Sequence, residues 1–381
     1  MSENKKLVVK VGSSLLANSD LLTPRFGFMQ RLLEDIARLK SDGYDVILCS
    51  SGAVALGMRL VGETPETAGL SDKQAAAACG MPLLLNAYKQ VGHEFGMEIA
   101  QILVTLGDFE DHRRFLNTKN TLHRLLKSSI VPVVNENDTI TTEEIRVGDN
   151  DRLAAKIAQM VGADEFIILT GVDGLFDRDP SEEGARLVER VEDVNEYLDA
   201  ASGVSSLGTG GMFTKLQAAN MAQNSGCITY IANGEAERPL SSIVRGERLC
   251  TVCVAHDKPM SGWRAWLADR LQMAGALVLH DAAAAKLGQG EPITRVDIAS
   301  LDGDFSRGDV LHIYDASGKE LARGLSDFSA EETRVLVNNP DLPADQLLGF
   351  QTDAELIRPN NLVLVDDRHI PWDAPESALV A

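Results

Sequence analysis

The sequence predicts an α/β protein: a three-layer αβα sandwich around a mainly parallel sheet, followed by a small β-rich domain. Three observations carry this expectation. At 381 residues the chain exceeds what one hydrophobic core usually organises, so two domains are the natural division. Up to about Ala255, short runs that are apolar on both faces alternate with longer stretches of helical period, the pattern of strands covered by helices on both sides. Beyond Ala276 the character changes to short strands set between Gly and Asp turns.

In chain order, the strands are expected at "LVVKV" (7–11), "DVILCS" (45–50), "IAQILVT" (99–105), "IVPVV" (130–134), "EFIILT" (165–170), "CITYIA" (227–232) and "LCTVCVA" (249–255). Helical periodicity places helices near 25–41, 53–61, 71–95, 112–128, 151–161 and 212–225. A linker with an amphipathic stretch, "WRAWLADRLQMAG", fills 256–275. The second domain, 276–372, is expected to use "ALVLH", "RVDIAS", "VLHIYD" and "NLVLVD" as strands, with 373–381 as a tail.

Composition narrows the function. A net charge of -20 repels phosphate backbones and anionic membranes, so no nucleic acid and no membrane are expected as partners. The first residues hold only a short apolar run, too brief for a signal segment or a membrane span, which points to a cytoplasmic protein. The five cysteines suit reduced, core-packed thiols. The "CTVC" pair lacks the two further ligands that a tetrahedral zinc site needs, so no metal-ligating residues are assigned.

In an open parallel sheet, ligands bind at the carboxyl ends of the strands. Those ends read "KVGSS", "SSGA", "NEND" and "TGVDG", small, polar or glycine-rich turns that suit a phosphate-bearing ligand. Lys10 sits within an apolar strand, where a cation is costly unless it is paired or reaches into a site. "SLGTGGMFTK" sets Gly208, Gly210 and Gly211 before a helix carrying Thr214 and Lys215. Backbone N–H groups, helix N-terminus and lysine there all favour phosphate, although the segment is no Walker A loop. Between strand and helix, "VNENDTITTEEIRVGDND" concentrates carboxylates and amides. Glu136, Thr141, Thr142, Glu143 and Glu144 read as a solvated loop, whereas Asn135, Asp138, Asp149, Asn150 and Asp151 stand at the strand end and helix start, where only one is needed as a cap.

"VVKVGSS", "SSGAVALG", "RFLNTKNTL", "VPVVNENDT", "VGDNDRLAA" and "SLGTGGMFTKLQAA" together resemble the glutamate 5-kinases, of the amino-acid kinase fold. "DAAAAKLGQG" and "GDFSRGDV" resemble the PUA domain appended to many of them, so the likeness runs through nearly the whole chain. The resemblance implies ATP-dependent phosphorylation of the side-chain carboxylate of L-glutamate, with Mg2+, as the first step of proline biosynthesis. It implies Lys10, Lys215 and Asp151 as catalytic residues, the lysines on the phosphates and Asp151 holding them. Ser51, Gly52, Asn135, Asp138, Asp149 and Asn150 would line the glutamate pocket. Lys10, Gly12, Ser13, Thr170, Gly171, Thr209, Gly210, Gly211, Met212, Phe213, Thr214 and Lys215 would form the nucleotide site. Two departures stand out: Gly171 where aspartate is expected, leaving Asp173 as the nearest carboxylate, and Ser13 where threonine is common.

The resemblance further implies inhibition by proline, influenced by the Glu143–Glu144 loop, a homo-oligomer (dimer or tetramer), and association with glutamate-5-phosphate reductase. The nearest rival is another kinase of the same fold, acting on N-acetylglutamate, aspartate, carbamate or a nucleoside monophosphate. A rival of another class is RNA binding through the PUA-like domain, opposed by the 19 acidic against 8 basic residues of 276–381.

Overall fold

The computed structural model describes residues 4–18, 23–64, 67–141, 149–197, 211–256, 267, 273–287, 289–350, 352 and 355–365. The chain divides into two compact units, the first within Met1–Gly262 and the second within Trp263–Ala374.

The first unit is built on strands β1 (Lys5–Val11), β2 (Tyr44–Cys49), β3 (Ile99–Val104), β4 (Val131–Glu136), β5 (Glu165–Thr170), β6 (Arg190–Val191), β7 (Ile228–Asn233) and β8 (Thr251–Cys253). Among the described residues they form one eight-stranded sheet in the order β3-β4-β2-β1-β5-β7-β8-β6. Pairing is parallel from β3 through β7. β8 runs antiparallel to β7, and parallel to β6. Its helices are α1 (Phe26–Ser41), α2 (Ala53–Val61), α3 (Leu70–Glu94), α4 (His112–Lys127), α5 (Asp149–Val161) and α6 (Met212–Asn224).

Alternation along β1 sorts the layers. Leu7, Val9 and Val11 join an apolar cluster with Leu32, Leu33 and Ile36 of α1, Leu56 of α2 and Leu84 and Tyr88 of α3. Val8 and Lys10 therefore face the opposite layer, where α5 packs on β1. α6 is buried nearly all round, so its polar side chains need internal partners: Gln223 donates to the Val254 carbonyl at 2.7 Å. Cys250 and Cys253 are buried in or beside β8, and Cys79 on α3 is exposed.

The acidic segment requires a correction. β4 runs two residues past "VPVV", and Glu136, read from sequence as a solvated loop residue, is paired opposite Val104 and only 6% exposed. Thr141 is half-buried and donates to the Asn137 carbonyl at 3.2 Å. Thr142 to Glu144 lie outside the described residues.

The second unit holds a five-stranded sheet in the order β10-β9-β11-β12-β13, made of β9 (Gly275–Leu279), β10 (Ile298–Gly303), β11 (Val310–Tyr314), β12 (Glu320–Leu325) and β13 (Leu362–Leu364). Two expectations change here. "RVDIAS" splits into a 3-10 turn, Arg295–Asp297, and the start of β10, because Asp297 accepts from the Thr294 N–H at 2.7 Å and curls the chain. β12 was not anticipated: Gly324 interrupts its pattern, yet a Cβ there would stand 2.7 Å from Ile357, so close packing demands the glycine. Helix α7 (Ala330–Asn338) is capped by Ser329, whose side chain accepts from the Glu332 N–H while Glu332 accepts from the Ser329 N–H.

Candidate active site

β1 is central. The chain first places β2, β3 and β4 on one side of it and then β5 on the other, so a crevice is expected where β1 and β5 end. Lys10, one residue before that end, is 7% exposed, and its ammonium lies 2.7 Å from Asp151 Oδ1. Asp151, in the first turn of α5, is fully buried. Its Oδ2 accepts from Lys215 Nζ at 3.3 Å and from Thr214 Oγ1 at 3.0 Å. Two cations from distant parts of the sequence thus converge on one carboxylate.

Burial alone would push the Asp151 carboxyl up, but Lys10, Lys215 and the hydrogen bonds outweigh it and hold the group below the ordinary carboxylate range. Burial pulls the Lys215 ammonium below the usual lysine value, against the opposing attraction of Asp151. Each oxygen of Asp151 thus faces one ammonium group, Oδ1 that of Lys10 and Oδ2 that of Lys215.

On the β5 side, Gly12 follows β1 closely: a Cβ there would lie at ordinary contact distance, 4.0 Å from Lys10 Nζ and 3.6 Å from the Leu169 carbonyl. Ser13 begins a short helix, Ser13–Leu16. Thr170 ends β5, its carbonyl accepting from the Gly234 N–H at 2.9 Å, and Gly171 is exposed with open space about it. Asp173 accepts from Asn233 Nδ2 at 3.1 Å, joining the turns after β5 and β7. Gly211 and Met212 begin α6 half-buried, Phe213 is buried, and Thr209 and Gly210 lie outside the described residues.

On the other side, Ser51 is buried and its hydroxyl donates to the Val11 carbonyl at 2.7 Å. Its one proton spent, Ser51 Oγ can only accept further hydrogen bonds. Gly52 takes φ 92°, a left-handed turn that favours glycine, and a Cβ there would meet Ser13 Cα at 3.8 Å. The two halves therefore touch at Gly52 and Ser13. Asn135 and Asp138 are 3% and 8% exposed at the end of β4. Asn135 Oδ1 and Asn150 Oδ1 are buried acceptors with no hydrogen-bond partner among the described residues. Asp149 is the first residue of α5; its side chain lies outside the described set. This half is thus rich in acceptors, as a site for a cationic donor would be.

Reading by motif placed Thr214 with the nucleotide and missed its bond to Asp151. It also missed Tyr88 and Gln74 of α3. Tyr88 OH and Ser50 Oγ lie 3.1 Å apart in the core, and Gln74 Nε2 donates to the Thr141 carbonyl at 2.9 Å. A tyrosine within an apolar helix was the available signal, since a buried phenol needs a partner.

The chain as a whole is similar to known proteins. A family model described as the amino acid kinase family matches residues 5–233, and one for the PUA domain matches 275–336. That match sets the class: an amino acid kinase with an appended PUA domain. The curated glutamate 5-kinase of Paramagnetospirillum magneticum is 41% identical over 363 residues, covering 94% of this chain and 98% of its own. That of Paraburkholderia xenovorans is 40% identical over 369 residues, covering 96% and 99%. The chain belongs to the glutamate 5-kinase family. Among solved structures, carbamate kinase from Giardia lamblia bound to AMP-PNP superposes with a TM-score of 0.50 at 15% identity, over 67% of this chain and 100% of that one, a likeness of fold alone.

Proposed function

We propose that the protein phosphorylates the side-chain carboxylate of L-glutamate with ATP, giving L-glutamate 5-phosphate, the first step of proline biosynthesis. The observation that carries this reading is the pair of buried lysines held by Asp151 at the strand ends, in a site region where Asn135 Oδ1 and Asn150 Oδ1 have no hydrogen-bond partner among the described residues. A carboxylate with a reference pKa of about 4.3 is ionised at neutral pH, so the nucleophile needs no general base. The obstacle is charge: an anion must approach a polyanionic triphosphate. Lys10 and Lys215 offset that repulsion by donating to phosphoryl oxygens as the bond from Pγ to the bridging oxygen breaks and ADP leaves. Asp151 holds both ammonium groups in place and takes no proton.

Magnesium fits as an ion brought by the triphosphate, since both oxygens of Asp151 are committed to lysines. Bound there, it would neutralise phosphate charge. Gly12, Ser13, Thr170, Gly171 and the Thr209–Lys215 segment form the nucleotide side in this reading. Ser51, Asn135 and Asn150 offer acceptor oxygens to the substrate ammonium, and Asp138 and Asp149 add negative charge. A substrate whose amine is blocked would leave those acceptors unpaired, which favours free glutamate over N-acetylglutamate.

Proline carries the same α-carboxylate beside a cationic amine, so inhibition by competition at these acceptors belongs to the proposal. It is tested by whether proline raises the KM for glutamate without lowering kcat. A homo-oligomer, dimer or tetramer, is read by sedimentation. A reactive acyl phosphate product gives reason for hand-off to glutamate-5-phosphate reductase, which co-sedimentation of the two enzymes tests. A cytoplasmic location accords with the buried free thiols and is checked by fractionation.

Hydroxylamine trapping of the acyl phosphate with ATP, magnesium and L-glutamate tests the reaction. Glutamyl hydroxamate should form with the wild type. Lys215→Ala should lose turnover, and Asp149→Ala should mainly raise the KM for glutamate. Turnover on another acceptor in preference to glutamate would discard the substrate assignment and keep the fold.

A further inference from the structure

We propose that helix α3 is the positioning element of the amino-acid half of the site, with Gln74 and Tyr88 setting the affinity for the phosphoryl acceptor. The inference rests on the function proposed above and assigns residues outside the strand-end motifs.

α3 reaches that half at three places. Near its start, Gln74 Nε2 donates at 2.9 Å to the carbonyl of Thr141, in the segment that leaves β4 after Asn135 and Asp138. In its middle, Gly80 lies against the first turn of α2: a Cβ on Gly80 would come within 1.8 Å of the Ala53 carbonyl, one residue beyond Gly52. Further on, the hydroxyl of Tyr88 pairs with Ser50 Oγ at 3.1 Å, one residue before Ser51. Gln74 and Tyr88 are separated by about four helical turns, so their side chains leave nearly the same side of α3. One helix therefore contacts both the residue after β2 and the segment after β4, the strand whose Asn135 Oδ1 has no hydrogen-bond partner among the described residues.

None of the three contacts involves a group proposed to touch substrate, and each lies within three residues of one that is. Tyr88 is fully buried, so its hydroxyl has no water to fall back on. Losing either hydrogen bond lets one wall of the pocket relax without touching Lys10, Asp151 or Lys215. The consequence is weaker acceptor binding with the phosphoryl-transfer machinery intact.

The test uses Tyr88→Phe, which removes one hydroxyl, and Gln74→Leu, which removes the donor and keeps the bulk, in full steady-state kinetics. Each should raise the KM for glutamate about 3- to 10-fold, with kcat and the KM for ATP within about twofold. Gln74→Glu, which sets an acceptor against the Thr141 carbonyl, should raise it further than Gln74→Leu. An unchanged KM for glutamate with a lowered Tm would make the contacts purely structural and overturn the inference. So would a joint change in kcat and both KM values. Should the wild type prefer a different acceptor, the function proposed above falls, and the same split read on that acceptor still decides the role of α3.

Discussion

Replacing Asp151 by asparagine removes one charge with almost no change of shape, and the structure sets a large expected cost. The carboxylate is fully buried, 2.7 Å from Lys10 Nζ and 3.3 Å from Lys215 Nζ. With an effective dielectric of about 20, each attraction is on the order of 5 kcal/mol before desolvation is counted. Breaking a buried pair typically costs about 3–5 kcal/mol, because the partner charge is left uncompensated. Asp151→Asn should therefore lower the unfolding free energy by about 3–5 kcal/mol in urea titrations and cut kcat about 100- to 1000-fold. Two signatures separate this from ordinary destabilisation. The triphosphate restores the missing negative charge, so Mg-ATP should raise the Tm of the variant more than that of the wild type. The variant should also gain stability as pH rises, because a lysine whose folded pKa is lowered loses its proton first in the folded state. In the wild type the depressed Asp151 has the same sign in a different window, at acid pH: its contribution is present above the ordinary carboxylate pKa and lost as pH falls through the folded value. A variant with wild-type urea midpoint and kcat within about threefold would refute the view that this carboxylate holds the lysines.

Gly80→Ala should destabilise by about 2–3 kcal/mol and raise the KM for glutamate, because a Cβ only 1.8 Å from the Ala53 carbonyl forces α2 and α3 apart. Gly27→Ala on α1, with nothing within 4 Å, is the matched control and should leave melting and kinetics nearly unchanged. In the second unit, burial would raise the Glu320 carboxyl, but hydrogen bonds from His312 and Arg323 bring it down to about 2. Glu332, held chiefly by Arg307, is also lowered to about 2. Both contributions are complete above about pH 4.5 and lost as pH falls toward 2. Glu320→Gln should remove roughly 1 kcal/mol of this, after solvent screening of a half-exposed group, and flatten the acid limb of hydrogen exchange at β11 and β12. An unaltered acid limb would contradict the assigned cause.

Sequence by itself determined what local pattern can encode. The doubly apolar runs marked β1, β2, β4 and β5, and helical period marked α1 to α6, because burial on one face or two leaves its period in the chain. The polar strand ends and the motifs around Lys10, Asp151 and Lys215 marked the candidate site. β12 escaped because the glycine that its packing requires erases the strand pattern. Glu136 was misread because a carboxylate looks solvated until the neighbouring strand is known. Only the tertiary structure decided that Lys10 and Lys215 share Asp151, that Ser51 spends its proton on Val11, and that α3 hydrogen-bonds to Ser50 and to Thr141. Those are pairings between residues far apart in the chain. Such pairings depend on strand order and helix packing, and neither leaves a periodic mark on the residues it joins.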